Sequence, residues 1–250
     1  MTLTASKLIE IAKAEVGYRE KASNANLDSP TANAGSKNYT KYARDLFAAG
    51  YYNGSKNGYA WCDVFVDWCF YMLCGKNKEK AEAMECQTGV LGAGTGYSMG
   101  YYKKAGRFDL NPKVGDQIFF KYDGATGAAS HTGIVTEVTA SQVKTVEGNS
   151  RNSVISKTYK RGDRTIIGYG HPLYEENHPV LRRGSTGVEV AELQTKLIAL
   201  GFDCGKWGAD GKFGPATLAA VKAFQKAHGL AVDGVAGPKT WSKIETERGA

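Results

Sequence analysis

Apolar residues recur at three-to-four spacing at the start of the chain, where Leu3, Leu8, Ile9, Ala12 and Val16 form a stripe broken by Lys7, Glu10, Lys13 and Glu15. That period predicts an amphipathic helix over Leu3–Gly17, capped by Thr4 or Ser6. Helical patterns also cover Asn38–Ala49 and Trp61–Leu73. In the last of these, CDVFVDWCFYML, either Phe65, Cys69 and Met72 or Val66, Cys69 and Leu73 can face a core. Further along, the period changes to two. Strand patterns run over Asp116–Tyr122, Thr132–Thr139, Gln142–Glu147, Val154–Tyr159 and Thr165–Tyr169. Helices followed by short strands predict an α+β domain with an antiparallel sheet.

A different pattern fills the C-terminal part. DGKFGPAT at Asp210–Thr217 returns as DGVAGPKT at Asp233–Thr240, each a glycine turn followed by Pro at the first position of a helix. Leu218, Val221, Phe224 and Gln225 repeat the earlier Val190, Leu193, Gln194 and Leu197. These are the marks of a small three-helix module. Before it, GYGHPLYEENHPV has two prolines and no periodicity, as a linker would. The division expected is a first domain over 1–173, a linker over 174–180 and a helical domain over 181–250.

Composition narrows the classes. The hydrophobic fraction of 42% and charged fraction of 23% are those of a globular chain, so disorder, collagen and coiled coil are poor readings. No stretch approaches the roughly 18 apolar residues needed to cross a bilayer, and the first residues lack the pattern of a signal peptide. The net charge of +7 is spread over both parts and favours a polyanionic surface without choosing one. No phosphate-binding loop, zinc finger or RNA-binding signature accompanies it, so nucleic acid is not an expected partner.

The chemistry begins at Cys62. It opens an apolar helix, where the dipole and free N–H groups favour a thiolate. In SHTGIVTEV, His131 shares a strand face with Gly133, Val135 and Glu137, and Gly133 leaves space beside the imidazole. In VKTVEGNS, Thr145, Glu147 and Asn149 share a face. A thiol needs a base within reach, and the base needs a third group to hold its ring. Each residue also has an ordinary explanation: a small buried cysteine, a satisfied sheet histidine, a hairpin edge.

With these pieces in place the chain resembles the CHAP family of cysteine, histidine-dependent amidohydrolases and peptidases, over about Leu3–Leu173. The matching pieces are GYAWCDVFVDWCF, NPKVGDQIFF, SHTGIVTEV, VEGNS and IIGYGHP. The resemblance implies a papain-like fold with Cys62 as nucleophile, His131 as base and later acid, Glu147 orienting the ring and Asn149 as added polar support. Trp61 stands where papain-like enzymes often carry an oxyanion-stabilising amide; its indole N–H is one candidate donor, helix packing the other role. GSTGVEVAELQTKLIALGF, DGKFGPATLAAVKAFQKAHGL and DGVAGPKTW resemble a three-helix peptidoglycan-binding domain.

Together these imply a monomeric, endolysin-like hydrolase of bacterial peptidoglycan, made in the host cytoplasm without a signal peptide and acting on the wall after release, with no insertion into the membrane. Its expected bond is the muramoyl to L-alanine amide. A bond in the stem peptide or cross-bridge is the alternative, and a wall-binding protein without catalysis is the rival from another class. No cofactor is expected. Zinc is disfavoured because Cys62, Cys69, Cys74 and Cys86 include no Cys-x-x-Cys pair. Asn24, Asn26 and Asp28 have the spacing of a calcium loop, but one carboxylate falls short of the roughly 6 to 8 oxygens calcium takes, so a surface loop is expected there. Tyr51, Tyr52, Tyr59, Tyr97, Tyr101 and Tyr102 either line a groove or cover a core edge.

Overall fold

The structure is a computed structural model and describes residues 3–88, 93–124, 128–174 and 178–248. Residues 175–177 of the expected linker lie outside the described residues. The chain divides into two compact units, Leu3–Tyr174 and Glu175–Ala250.

The first unit opens with helices α1 (Ala5–Ala14), α2 (Lys41–Ala48), α3 (Cys62–Leu73), α4 (Lys78–Met84) and α5 (Thr95–Lys104). Strands follow: β1 (Phe108–Asp109), β2 (Gln117–Phe120), β3 (His131–Val138), β4 (Gln142–Ser150), β5 (Ser153–Lys160) and β6 (Ile166–Gly170). They form one sheet in the order β1-β6-β2-β3-β4-β5 with every neighbouring pair antiparallel. The unit is thus α+β, as the succession of periods predicts. Thr4 caps α1 by accepting the Lys7 N–H, and Thr40 caps α2 by accepting that of Ala43. Helix α1 stops at Ala14, short of Gly17, whose φ of 96° is left-handed and incompatible with a continuing helix.

Helix α3 is the axis of this unit. It packs against α1, α2, β3 and β4, and its residues from Cys62 to Phe70 are all buried. Val64, Phe65, Val66 and Phe70 share a core with Leu8, Leu46, Ile134 and Val146. Burying this largely apolar helix between two layers is the main source of stability here, at about 25 cal/mol per Å² of apolar surface removed from water. The sheet's other face gathers Ile118, Phe120, Val135, Val143 and Tyr169. Two carboxyls of α3, Asp63 and Asp67, enter the interior, and Glu85 at the end of α4 joins them there. Asp67 accepts hydrogen bonds from the Tyr52 hydroxyl and from Gln87, and its neighbour Glu85 accepts one from Tyr51 at 2.9 Å. Tyr51 and Tyr52 therefore serve the interior, as does buried Tyr102, while Tyr59 and Tyr97 face solvent.

The second unit holds α6 (Val188–Ala199), α7 (Pro215–Ala227) and α8 (Pro238–Arg248) around Leu193, Leu197, Phe213, Val221, Phe224 and Trp241. The repeat read in the sequence is a repeat in space. Gln194 Nε2 donates to Asp210 Oδ1, Lys212 O and Thr217 Oγ1 and its Oε1 accepts the Gly211 N–H. Gln225 does the same with Asp233, Val235, Thr240 and Gly234. At the entry to this unit the His178 ring stacks on Trp241 at 3.8 Å, and the Trp241 indole donates to Pro179 O at 3.1 Å.

Candidate active site

Cys62 is the first residue of α3, and its side chain is 7% exposed. Its sulfur lies near the backbone N–H groups of Asp63 and of Thr132, the second residue of β3. The helix start thus places the thiol against the end of the strand that begins with His131. Burial pushes the thiol up to about 12, and the adjacent Asp63 charge adds to this, outweighing the backbone N–H groups. The helix dipole favours a thiolate, but in the folded protein desolvation outweighs it and favours the neutral thiol.

Asp63 is wholly enclosed. It accepts from Gly94 N at 2.8 Å, Ser98 Oγ at 2.9 Å and Gln117 Nε2 at 3.1 Å, yet burial still raises its carboxyl above the usual range. Trp61 turns its indole N–H to Glu20 Oε2 at 2.8 Å, so it braces the interior and is not available to a developing oxyanion.

His131 and Glu147 are brought together. His131 Nε2 lies 2.9 Å from Glu147 Oε2, with the carboxylate fully buried. The other oxygen, Oε1, accepts from Thr145 Oγ1 at 2.6 Å and Tyr159 OH at 2.8 Å, while Lys157 Nζ lies 3.1 Å from Oε2. Burial alone would raise this carboxyl, but the bonds from His131 and Thr145 and the charges of His131 and Lys157 prevail and hold it below the usual range. The Tyr122 ring stacks on that of His131, with centroids 5.9 Å apart, and Phe120 lies against both the Tyr122 and the Tyr159 rings.

Two glycines make room for this. A Cβ on Gly133 would lie 2.6 Å from Glu147 Cγ, so the space beside the imidazole is filled by the carboxylate's own stem. A Cβ on Gly148 would lie 2.5 Å from Phe65 Cβ, so β4 presses directly onto the first turns of α3.

Asn149 follows a different course. The pairing of β4 with β5 shifts between Glu147 and Ser150, and Asn149 sits at φ 54°. The simple alternation that puts Glu147 and Asn149 on one face is interrupted by this bulge. Among the described residues the Asn149 side chain makes no hydrogen bond, whereas the His131 ring nitrogen is paired with Glu147. In the candidate calcium loop, Asp28 is engaged by Arg44 through two bonds of 2.7 Å, and Asn24 Oδ1 accepts from Asn57. Among the described residues no group of three or more His, Cys, Asp or Glu could hold a metal ion, and no disulfide joins the described cysteines.

Lys157, Tyr159 and Tyr122 were not singled out from sequence. The usable signal was the alternation of β5, which turns Ile155, Lys157 and Tyr159 inward and leaves Ser156, Thr158 and Lys160 exposed.

Comparison with known proteins follows the same division. The family described as "CHAP domain" matches residues 54–149, and the one described as "Putative peptidoglycan binding domain" matches 186–244. A Bacillus licheniformis protein named N-acetylmuramoyl-L-alanine amidase CwlL is 39% identical over 97 residues, 39% of this chain and 25% of that protein. The zinc D-Ala-D-Ala carboxypeptidase of Streptomyces albus G is 48% identical over 64 residues, 26% of this chain and 25% of that one. The crystal structure of the Burkholderia AP3 phage endolysin shares 47% identity over 28% of this chain and 26% of its own, with a TM-score of 0.26. The matched stretch is thus about a quarter of the length of each of these relatives. Cys62, His131, Glu147 and Asn149 all fall within the residues that match the CHAP domain, and the residues that match the peptidoglycan-binding domain follow them in the chain.

Proposed function

We propose that the protein hydrolyses an amide bond of bacterial peptidoglycan through Cys62, with the second unit holding it on the wall. The observation that carries this reading is a buried imidazole bonded at 2.9 Å to a buried carboxylate, next in the chain to Thr132, whose backbone lies near the Cys62 thiol. His131 takes the thiol proton as the sulfur attacks the carbonyl carbon. The tetrahedral intermediate then collapses as the imidazolium protonates the departing amine, leaving a thioester on Cys62. Water, deprotonated by the same imidazole, attacks the thioester and frees the acid and the thiol. Glu147 fixes the ring and offsets the charge that His131 acquires.

The bond we assign is the muramoyl to L-alanine amide, in keeping with the amidase named among the relatives. The family assignment of the second unit and the chain's net charge of +7 favour a polyanionic wall, and tethering raises local substrate concentration without new catalytic contacts. In this reading the protein is an endolysin-type enzyme that works as a monomer and meets the wall after release from the cytoplasm in which it is made.

Loss of turbidity of purified cell walls, measured for the wild type and Cys62→Ala, tests the catalytic reading; equal clearing by both would defeat it. Mass spectrometry of the fragments tests the bond. New N-terminal L-alanine is the expected product, and new ends within the stem or cross-bridge would replace amidase by endopeptidase.

A further inference from the structure

Glu147 Oε2 serves two partners. His131 Nε2 lies 2.9 Å from it and Lys157 Nζ 3.1 Å, so two groups able to carry positive charge stand within about 6 Å of each other on one oxygen. Thr145 and Tyr159 occupy the other oxygen, and four donors fill the roughly four lone-pair sites of a carboxylate. The placement follows from register. Thr145 pairs with Lys157 and Glu147 with Ile155, which makes Lys157 the diagonal neighbour of Glu147 on the same sheet face. The CHAP match ends at residue 149, before β5, so neither Lys157 nor Tyr159 comes with that match.

We propose that Lys157 and Tyr159 are positioning residues for the His131 base, Tyr159 fixing the carboxylate that orients the ring and Lys157 balancing that carboxylate's charge. The proposal rests on the reading of His131 as the base. The groups facing this centre are Glu147 and Thr145 from β4, Lys157 and Tyr159 from β5, Tyr122 after β2, and Cys62 from α3. Among them Lys157 brings the ammonium, 3.1 Å from Glu147 Oε2. Both phenols are raised, first by burial, and stay neutral. With the ammonium present, a proton arriving on His131 meets a carboxylate that is already compensated. Remove it, and the carboxylate favours the imidazolium unopposed, so the base stays protonated to higher pH.

The test is a histidine NMR titration of the full chain, with His131 assigned by loss of its signal in His131→Gln. The titration is paired with the pH profile of wall clearing. In Lys157→Gln the His131 midpoint is expected to rise by about one pH unit, and the acid limb of clearing to move up equally, roughly a tenfold loss of rate on that limb. Lys157→Arg is expected to restore both. Lys157→Met keeps the apolar stem and serves if the Gln variant does not fold. Tyr159→Phe is expected to lower kcat on soluble muropeptides about tenfold with KM unchanged. An unmoved His131 midpoint in the folded uncharged variants overturns the role of Lys157, and an unchanged kcat in Tyr159→Phe overturns that of Tyr159. The titration needs no turnover, so a wild type without Cys62-dependent clearing would defeat the hydrolase reading and leave the titration result to stand by itself.

Discussion

Glu147 reaches His131 through the space that Gly133 leaves empty: a Cβ at Gly133 would stand 2.6 Å from Glu147 Cγ and 2.9 Å from Val146 O. One of these atoms is backbone, so Gly133→Ala cannot be absorbed by a rotamer change alone. The substitution should cost about 1–3 kcal/mol through overpacking. Its effect on clearing should be larger, near a hundredfold, because an ångström of displacement at the orienting carboxylate is felt at the base. Thermal unfolding and wall clearing of the variant measure the two effects, and a stable Gly133→Ala protein that clears walls at the wild-type rate would contradict this account of the site.

The thiol's state predicts its reactivity. With Cys62 raised to about 12 by burial and then by Asp63, the free protein carries a thiol at neutral pH, and deprotonation belongs to the attack itself. Alkylation by iodoacetamide, followed at Cys62 by peptide mass spectrometry, should therefore keep climbing from pH 7 to pH 10. A plateau already reached below pH 8 would mean a resting thiolate.

The buried pair Asp67 and Glu85 makes stability depend on pH. Both carboxyls are raised well above their usual range by burial; Asp67 is raised further by the charge of Asp63, and Glu85 by that of Asp67. The native state therefore keeps its protons where the unfolded chain, titrating near 4, has lost them. The stability they contribute is complete below that range and drains away as pH rises toward the folded values. Glu85→Gln should leave the melting temperature at pH 5 nearly unchanged and raise it at pH 8 by a few degrees, the equivalent of about 1–2 kcal/mol. A variant that runs parallel to the wild type at both values would show that the pair is not the source.

What the sequence discloses and what it hides divide along physical lines. Helix α3 is legible because a mostly apolar run, Val64–Val66 and Trp68–Leu73 around Asp67, has one place to go, and His131 because its strand alternates. Helix α5 is not, since TGYSMGYYKK holds glycines and no clear period; it forms because Met99 and Tyr102 bury against Phe119. The Glu147 contact is legible from the spacing in VEGNS. The place of Asn149 is not, because a bulge with a residue at φ 54° resets the alternation that spacing assumes. Lys157 lies hidden for a third reason: a lysine on an outer strand reads as solvated until register shows which carboxylate it faces.

The two glutamines of the second unit are its most consequential polar residues. Each is 1% exposed and holds a glycine turn to the helix that follows it, Gln194 through Gly211 and Thr217, Gln225 through Gly234 and Thr240. Truncation to Ala would strand a turn N–H and free a hydroxyl inside a small core, at about 1–3 kcal/mol for each buried group left without a partner. Because the second unit has its own core, the loss should fall there while Cys62 and its partners keep their geometry. Gln225→Ala is therefore expected to lower the unfolding temperature of the second unit and to weaken sedimentation with purified walls. Hydrolysis of small soluble muropeptides should stay at the wild-type rate. A parallel loss of soluble-substrate activity would refute the separation of roles on which this prediction depends.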